Sequence, residues 1–348
     1  MDDRSMTRWP SSYQWWLFLA VVAVTLLIPA LFILVAGKNP ITAYASLLSY
    51  TLGTRNGFYE VITQCIPLVL VSLGVAVAFR AGVFNIGGDG QLLSGAMLSF
   101  VFAPYVAHLP MPLNMLVYLF LGFVGGGLLG MFVGWLKVRF RASEIITTIV
   151  LNFIVLQVLS WLIRGPLQEP ARLMPWSDYL PESLILFPII DGSRIHAGLF
   201  VAIAAVIVMA VVIGKTSFGY KLTAVGKNPF AARYAGLKEG RIIVLAMLVS
   251  GGLAGLAGSI QVAAIHERLQ DDFASGYGEA AIAIALMARL SPAFIPLAAL
   301  LFGVFYVGAG VLQREVGVPF PIVKIIEGVV ILGFLCFEAL SNRRKEAH

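Results

Sequence analysis

The sequence has little charge and almost no cysteine. Only 12% of its 348 residues are charged, against 59% apolar, where soluble domains run nearer 25% charged. That scarcity excludes a disordered chain, and a single water-facing globule could not hide so much apolar side chain. Cys65 and Cys336 stand far apart inside apolar runs, so they build neither a disulfide framework nor a thiolate metal site. The four histidines, His108, His196, His266 and His348, are scattered without ligand spacing. No metal or other cofactor is expected, and no nucleophile–base constellation marks an enzyme. A nucleotide-binding loop is missing too. Gly214-Lys215-Thr216 would need a glycine five residues before Gly214, where Met209 stands.

Long apolar runs are what the chain has instead. Mean hydropathy is +0.90, and about 20 apolar residues suffice to cross a bilayer. Ten stretches can be marked: 14–36, 61–80, 91–108, 112–136, 145–163, 197–214, 242–263, 277–289, 293–312 and 320–340. Backbone groups in lipid must be satisfied internally, so the expected class is an all-α polytopic membrane protein with about ten transmembrane helices. The 277–289 stretch is short. The first run, from Trp15 to Ala36, is too long for a signal peptide and reads as a retained helix.

Lys and Arg set the orientation. With the N-terminus inside, two thirds of them fall on cytoplasmic segments, including Arg80, Lys137, Arg139, Arg141, most of 215–241, Arg289 and Arg343. Both termini are therefore expected in the cytoplasm. This distribution accounts for the net charge of +6 without any nucleic-acid partner. An even ten spans also puts the two halves in opposite orientation, the parity of an inverted 5+5 repeat. Self-similarity is faint: a glycine-rich polar break follows the second span of each half, at Asn85–Gln91 and at Ser275–Glu279. Gly122, Gly126, Gly130 and Gly134 recur every fourth residue and predict close helix packing.

Four polar features stand out. Phe84-Asn85-Ile86-Gly87-Gly88-Asp89-Gly90-Gln91 interrupts two apolar runs, bringing Asn85, Asp89 and Gln91 to the membrane, where an acid is costly unless paired or hydrated. A surface turn and a broken helix framing a solute path both fit it. Thr148 and Asn152 share a helix face and suit either a pathway or interhelical hydrogen bonds; Lys324 and Glu327 suit an ion pair. In the 215–241 loop, Asn228 is a good N-cap, Pro229 suits the first helical position and Gly236 the stop. A helix of about two turns is expected at 229–235, with Phe230 and Tyr234 as an aromatic ridge beside Arg233. Such a helix suits another protein's groove.

The 84–91 stretch resembles the signature of bacterial ABC importer permeases of the branched-chain amino acid, sugar and nucleoside superfamily. Gly226-Lys227-Asn228-Pro229-Phe230-Ala231-Ala232-Arg233-Tyr234-Ala235-Gly236 resembles that group's coupling-helix motif. Ser143–Phe153, with Gly165-Pro166-Leu167-Gln168-Glu169-Pro170, resembles the nucleoside-type permeases in particular. The resemblance covers roughly 60–340. It implies a single transmembrane permease domain in the bacterial inner membrane, with 215–241 as its cytoplasmic coupling loop. The implied partners are ABC ATPase subunits, a second permease subunit and an extracytoplasmic substrate-binding protein. ATP would be hydrolysed on a partner, and the solute would be a nucleoside or a related small molecule. Its coupling-helix motif implies ATPase coupling through Gly226, Asn228, Pro229, Phe230, Ala232, Arg233, Tyr234 and Gly236, while the polar residues themselves make Asn85, Asp89, Gln91, Thr148, Asn152 and Glu279 the candidates for a substrate pathway. The sequence departs from the family at Asp89, where Glu is usual, and at Glu279, where an aromatic is common. The competing class is a secondary transporter driven by an ion gradient.

Overall fold

The computed structural model describes residues 23–24, 27–271, 273, 276–319, 322, 325, 328–329 and 332–333. Ser275, Lys324, Glu327, Cys336 and both termini lie outside them. In chain order the helices are α1 (Leu27–Val35), α2 (Pro40–Thr51), α3 (Arg55–Arg80), α4 (Gly88–Val106), α5 (Leu113–Phe140), α6 (Glu144–Arg164), α7 (Gly198–Lys215), α8 (Ser217–Lys227), α9 (Pro229–Tyr234), α10 (Glu239–Gln261), α11 (Tyr277–Met287) and α12 (Ile295–Val311). α10 and α12 continue as wider turns to His266 and Val316. Among the described residues no strand forms; the extended pairings are isolated bridges, Gln168–Ser177, Trp176–Gln270 and Pro188–His196.

Among the described residues, six helices are long and apolar enough to cross a bilayer: α3, α5, α6, α7, α10 and α12, the last two with their continuations. α1 and α2, bent by 114° at their junction, would make a seventh. That is fewer than the ten expected, for separable reasons. The polar first turn of α4, Gly88-Asp89-Gly90-Gln91, leaves that helix less apolar than the six. α11 has 11 residues, roughly 16 Å at 1.5 Å per residue, about half of a ~30 Å hydrocarbon core. Most of 320–340 lies outside the described residues. α2 lies outside the ten marked stretches, between the first two of them. Asn39 caps it, its side chain accepting from the Ile41 N–H at 2.9 Å, and Pro40 takes the first helical position.

Tyr59–Gly303 forms one compact unit, and Met1–Phe58 with Val304–His348 another. In the latter, α2 packs on the turn at Leu312–Val316, and Gly308 sits against Leu47. The core of the larger unit is α4, α5 and α10. Here the four-residue glycine spacing takes effect: a Cβ on Gly255 would collide with the Gly122 carbonyl, and one on Gly126 with the Gly251 carbonyl. Only hydrogen fits between these backbones. α6 and α7 are peripheral, with few of their apolar side chains buried.

Helix ends within this unit sort into two groups. At one, Arg80 Nε donates to the Leu290 carbonyl at 2.9 Å, and Lys137 Nζ pairs with Glu144 Oε1 at 2.6 Å. At the other, Asn114 Nδ2 donates to the Ser183 carbonyl at 3.0 Å, and the Leu180 N–H to the Glu267 carbonyl at 2.7 Å. The Arg268 guanidinium lies 3.7 Å from the Trp176 ring centroid at that second end. These groups match the segments that the Lys/Arg bias puts on common sides.

Candidate functional site

The polar break between α3 and α4 is braced from three helices. Asn85 is 1% exposed, and its amide is fully used. Its Nδ2 donates to Gln91 Oε1 and Ser250 Oγ, both at 2.8 Å; its Oδ1 accepts from Gly87 N at 2.9 Å and Gln91 Nε2 at 3.1 Å. Asn and Gln thus form a reciprocal amide pair, and Ser250 ties it to α10. An Asn side chain offers two donors and an oxygen with two lone pairs, so nothing is left over for a solute. Asn152, on α6, clamps the same loop from outside: its Oδ1 accepts from Gly90 N at 3.0 Å and its Nδ2 donates to the Ile86 carbonyl at 3.1 Å. Thr148 is buried one turn earlier, its hydroxyl donating to the Glu144 carbonyl of its own helix at 2.7 Å.

Asp89 bridges two helix starts. It stands in the first turn of α4, and its Oδ1 accepts from the Gly278 N–H at 2.7 Å, in the first turn of α11. The two N-termini nearly touch, since a Cβ on Gly88 would lie 2.7 Å from the Gly278 Cα. Both carry partial positive charge, which a half-buried carboxylate offsets. Glu279 is the next residue but is exposed, and no described contact brings it to the amides. The Tyr277 hydroxyl accepts from Gln64 Nε2 and Gln261 Nε2, each at 2.7 Å, joining α3, α10 and α11 beside Asp89.

The 215–241 segment has more structure than a loop with one short helix. α8 precedes α9, capped by Thr216, whose hydroxyl accepts from Gly219 N at 3.4 Å, and Leu222 and Val225 are buried. Their spacing, with Thr216 ahead, was the readable signal. α9 follows, with Asn228 Oδ1 accepting from the Ala231 N–H at 2.9 Å and Pro229 at the first position. It stops at Gly236, φ +80°. Leu237 N donates to the Ala232 carbonyl at 3.0 Å and Gly236 N to the Arg233 carbonyl at 2.9 Å, a Schellman stop that satisfies the last carbonyls. Ala232 is buried, Arg233 pairs with Glu239, and Phe230 and Tyr234 are 71% and 95% exposed. Gly226, at the end of α8, lies backbone to backbone on the turn after α3: a Cβ there would be 3.0 Å from Gly82 N and closer still to the Arg80 carbonyl.

The structure therefore joins Asn85, Gln91 and Asn152 in one hydrogen-bonded frame, sets Asp89 at its edge, and leaves Glu279 apart. Sequence reasoning missed Ser250, Gln64, Gln261 and the Gly82–Gly226 contact. Gln64 and Gln261 carried a signal, as lone amides within apolar runs; Ser250 is ordinary in a small-residue helix and carried none.

The family of branched-chain amino acid transport system permease components matches residues 57–335. The chain is 36% identical over 321 residues to a glucose ABC transporter permease protein of Haloferax volcanii, covering 88% of this chain and 83% of that one. It is 33% identical over 322 residues to a nucleoside ABC transporter permease protein of Lactococcus lactis, covering 90% and 88%. It is also 36% identical over 312 residues to a guanosine ABC transporter permease protein of Bacillus subtilis, covering 87% and 88%.

Proposed function

The chain belongs to the family of branched-chain amino acid transport system permease components, and we propose that it imports a nucleoside or related sugar-containing solute, driven by ATPase subunits docked on α9. It is a multi-pass permease subunit of an ATP-driven importer and not itself an enzyme. The solute reading rests on relatives named for guanosine, nucleosides and glucose, all molecules that carry a ring of sugar hydroxyls. The remaining partners would be a second permease subunit and an extracytoplasmic binding protein. The Lys/Arg bias supports both termini cytoplasmic, and the permeases of Lactococcus lactis and Bacillus subtilis support a bacterial plasma-membrane location. The meeting of α4 and α11 at glycine-rich breaks supports an inverted 5+5 repeat.

The observation that carries the coupling reading is the doubly capped, projecting α9 with its exposed Phe230 and Tyr234. Closure of the ATPases would push α9, and α8 would pass the displacement through Gly226 to Gly82 and the break. Because Asn85, Gln91 and Asn152 brace that break, it would move as a unit with the start of α4. Asp89 would carry the motion to α11, and the solute path would open on one side as it closes on the other. In this reading the amides frame the pathway, with Asp89 and Glu279 at its edge. The test is Phe230→Ala with Tyr234→Ala. Aromatic anchors at the centre of an interface contribute ~2 kcal/mol or more each. The variant is predicted to reach the membrane at normal abundance, lose its ATPase on purification and stop importing; normal import with ATPase retained would overturn the coupling role.

A further inference from the structure

A groove of about 740 Å³ opens where α10 begins, between the end of α5 and the turn after α9. Its walls are apolar: Val138 from α5, and Val244 and Leu245 from the first turns of α10. Val138 and Leu245 are 43% and 47% exposed. Gly240 brings the two helices together, since a Cβ there would lie 2.7 Å from Val138 Cγ1. Basic side chains line its rim. Arg233 is committed to Glu239, but Lys238 and Arg241 have no carboxylate partner among the described residues.

An apolar trough ending at two unneutralised cations calls for an amphiphile with an anionic head. A free phosphate would satisfy the cations and leave the walls bare, and a neutral lipid would do the reverse. The groove lies where a spanning helix enters the bilayer, the position at which basic pockets take acidic headgroups. We propose that it holds an acidic phospholipid of the cytoplasmic leaflet, with its headgroup at Lys238 and Arg241 and an acyl chain along Val138, Val244 and Leu245. This rests on the reading above that the α8–α9 end of the bundle faces the cytoplasm. The lipid would then sit against Arg233, beside the helix that meets the ATPase.

The experiment uses the assembled importer in nanodiscs of equal phosphatidylcholine and phosphatidylglycerol, with lipids retained after mild delipidation counted by native mass spectrometry. The wild type is expected to keep phosphatidylglycerol in preference to phosphatidylcholine. A basic side chain near the surface contributes about fivefold, so Lys238→Gln with Arg241→Gln should cut that preference roughly tenfold or more. Val138→Trp, which fills the trough without touching a charge, should also expel the lipid. Unchanged retention in both variants would overturn the proposal, as would displacement of the lipid by inorganic phosphate alone. Loss of the ATPase subunit from the Lys238/Arg241 variant with lipid retention intact would assign the groove to a protein partner instead. The Phe230/Tyr234 variant separates the two readings: it should keep its phosphatidylglycerol, so a failure of the coupling role leaves the lipid count unaffected.

Discussion

Replacing Asn85 by Ala tests whether the break is a built frame. The substitution removes four hydrogen bonds at once and strands the Gly87 N–H, the Gln91 amide and the Ser250 hydroxyl in a site where Asn85 itself is 1% exposed. A buried polar group left without a partner costs about 1–3 kcal/mol in water-soluble proteins. Interhelical bonds measured in membranes average nearer 0.6 kcal/mol. Gln91 and Ser250 can partly re-pair, so the expected loss is about 2–4 kcal/mol. Asn152→Ala removes two bonds to the same loop and should cost about half as much. Reversible unfolding of the detergent-solubilised protein, followed beside membrane abundance, measures both. Wild-type stability in Asn85→Ala, or a changed solute affinity in protein that remains folded, would refute the frame and return Asn85 to the solute's path.

Two further outcomes concern Asp89 and His196. Asp89→Asn keeps an acceptor for the Gly278 N–H but removes the charge between two helix N-termini, each worth about 0.3–1 kcal/mol to an anion. Uptake at matched abundance is predicted to fall several-fold, and wild-type uptake would reduce Asp89 to a turn residue. His196, in the segment before α7, is 2% exposed; its Nδ1 accepts from the Gly198 N–H at 3.2 Å, and its Nε2 has no partner among the described residues. Burial pulls its pKa from 6.5 down to about 4. A depressed histidine favours the folded state above the unfolded pKa, and that contribution is lost as pH falls from about 6.5 toward 4, by up to about 3 kcal/mol. His196→Phe should flatten the stability profile in that window relative to wild type; identical slopes would show that the ring is not held neutral.

Features written in local chemistry were legible in the sequence. The caps and stop of α9 depend on Asn228, Pro229 and Gly236, all within a few residues of the helix they define, and the glycine spacing of α5 needs only helical periodicity. The break at 84–91 was visible as polarity inside apolar runs, but its meaning was not, because Asn85 is satisfied by Ser250, 165 residues away. Likewise, Asp89 meets Gly278 across 189 residues. The ten-span expectation overreached where apolarity and length part company: α4 is long but starts polar, and α11 is apolar but short. α2 lies outside the marked apolar stretches although Asn39-Pro40 is the same start signal as Asn228-Pro229, a signal that hydropathy alone does not register.

The most direct measurement is uptake of labelled guanosine by the complete complex in proteoliposomes, with its binding protein outside and nucleotide inside. Import should require hydrolysable ATP in the lumen, persist when ionophores collapse ion gradients, and vanish in the Phe230/Tyr234 variant. Import that continues without ATP and follows an imposed ion gradient would contradict the account.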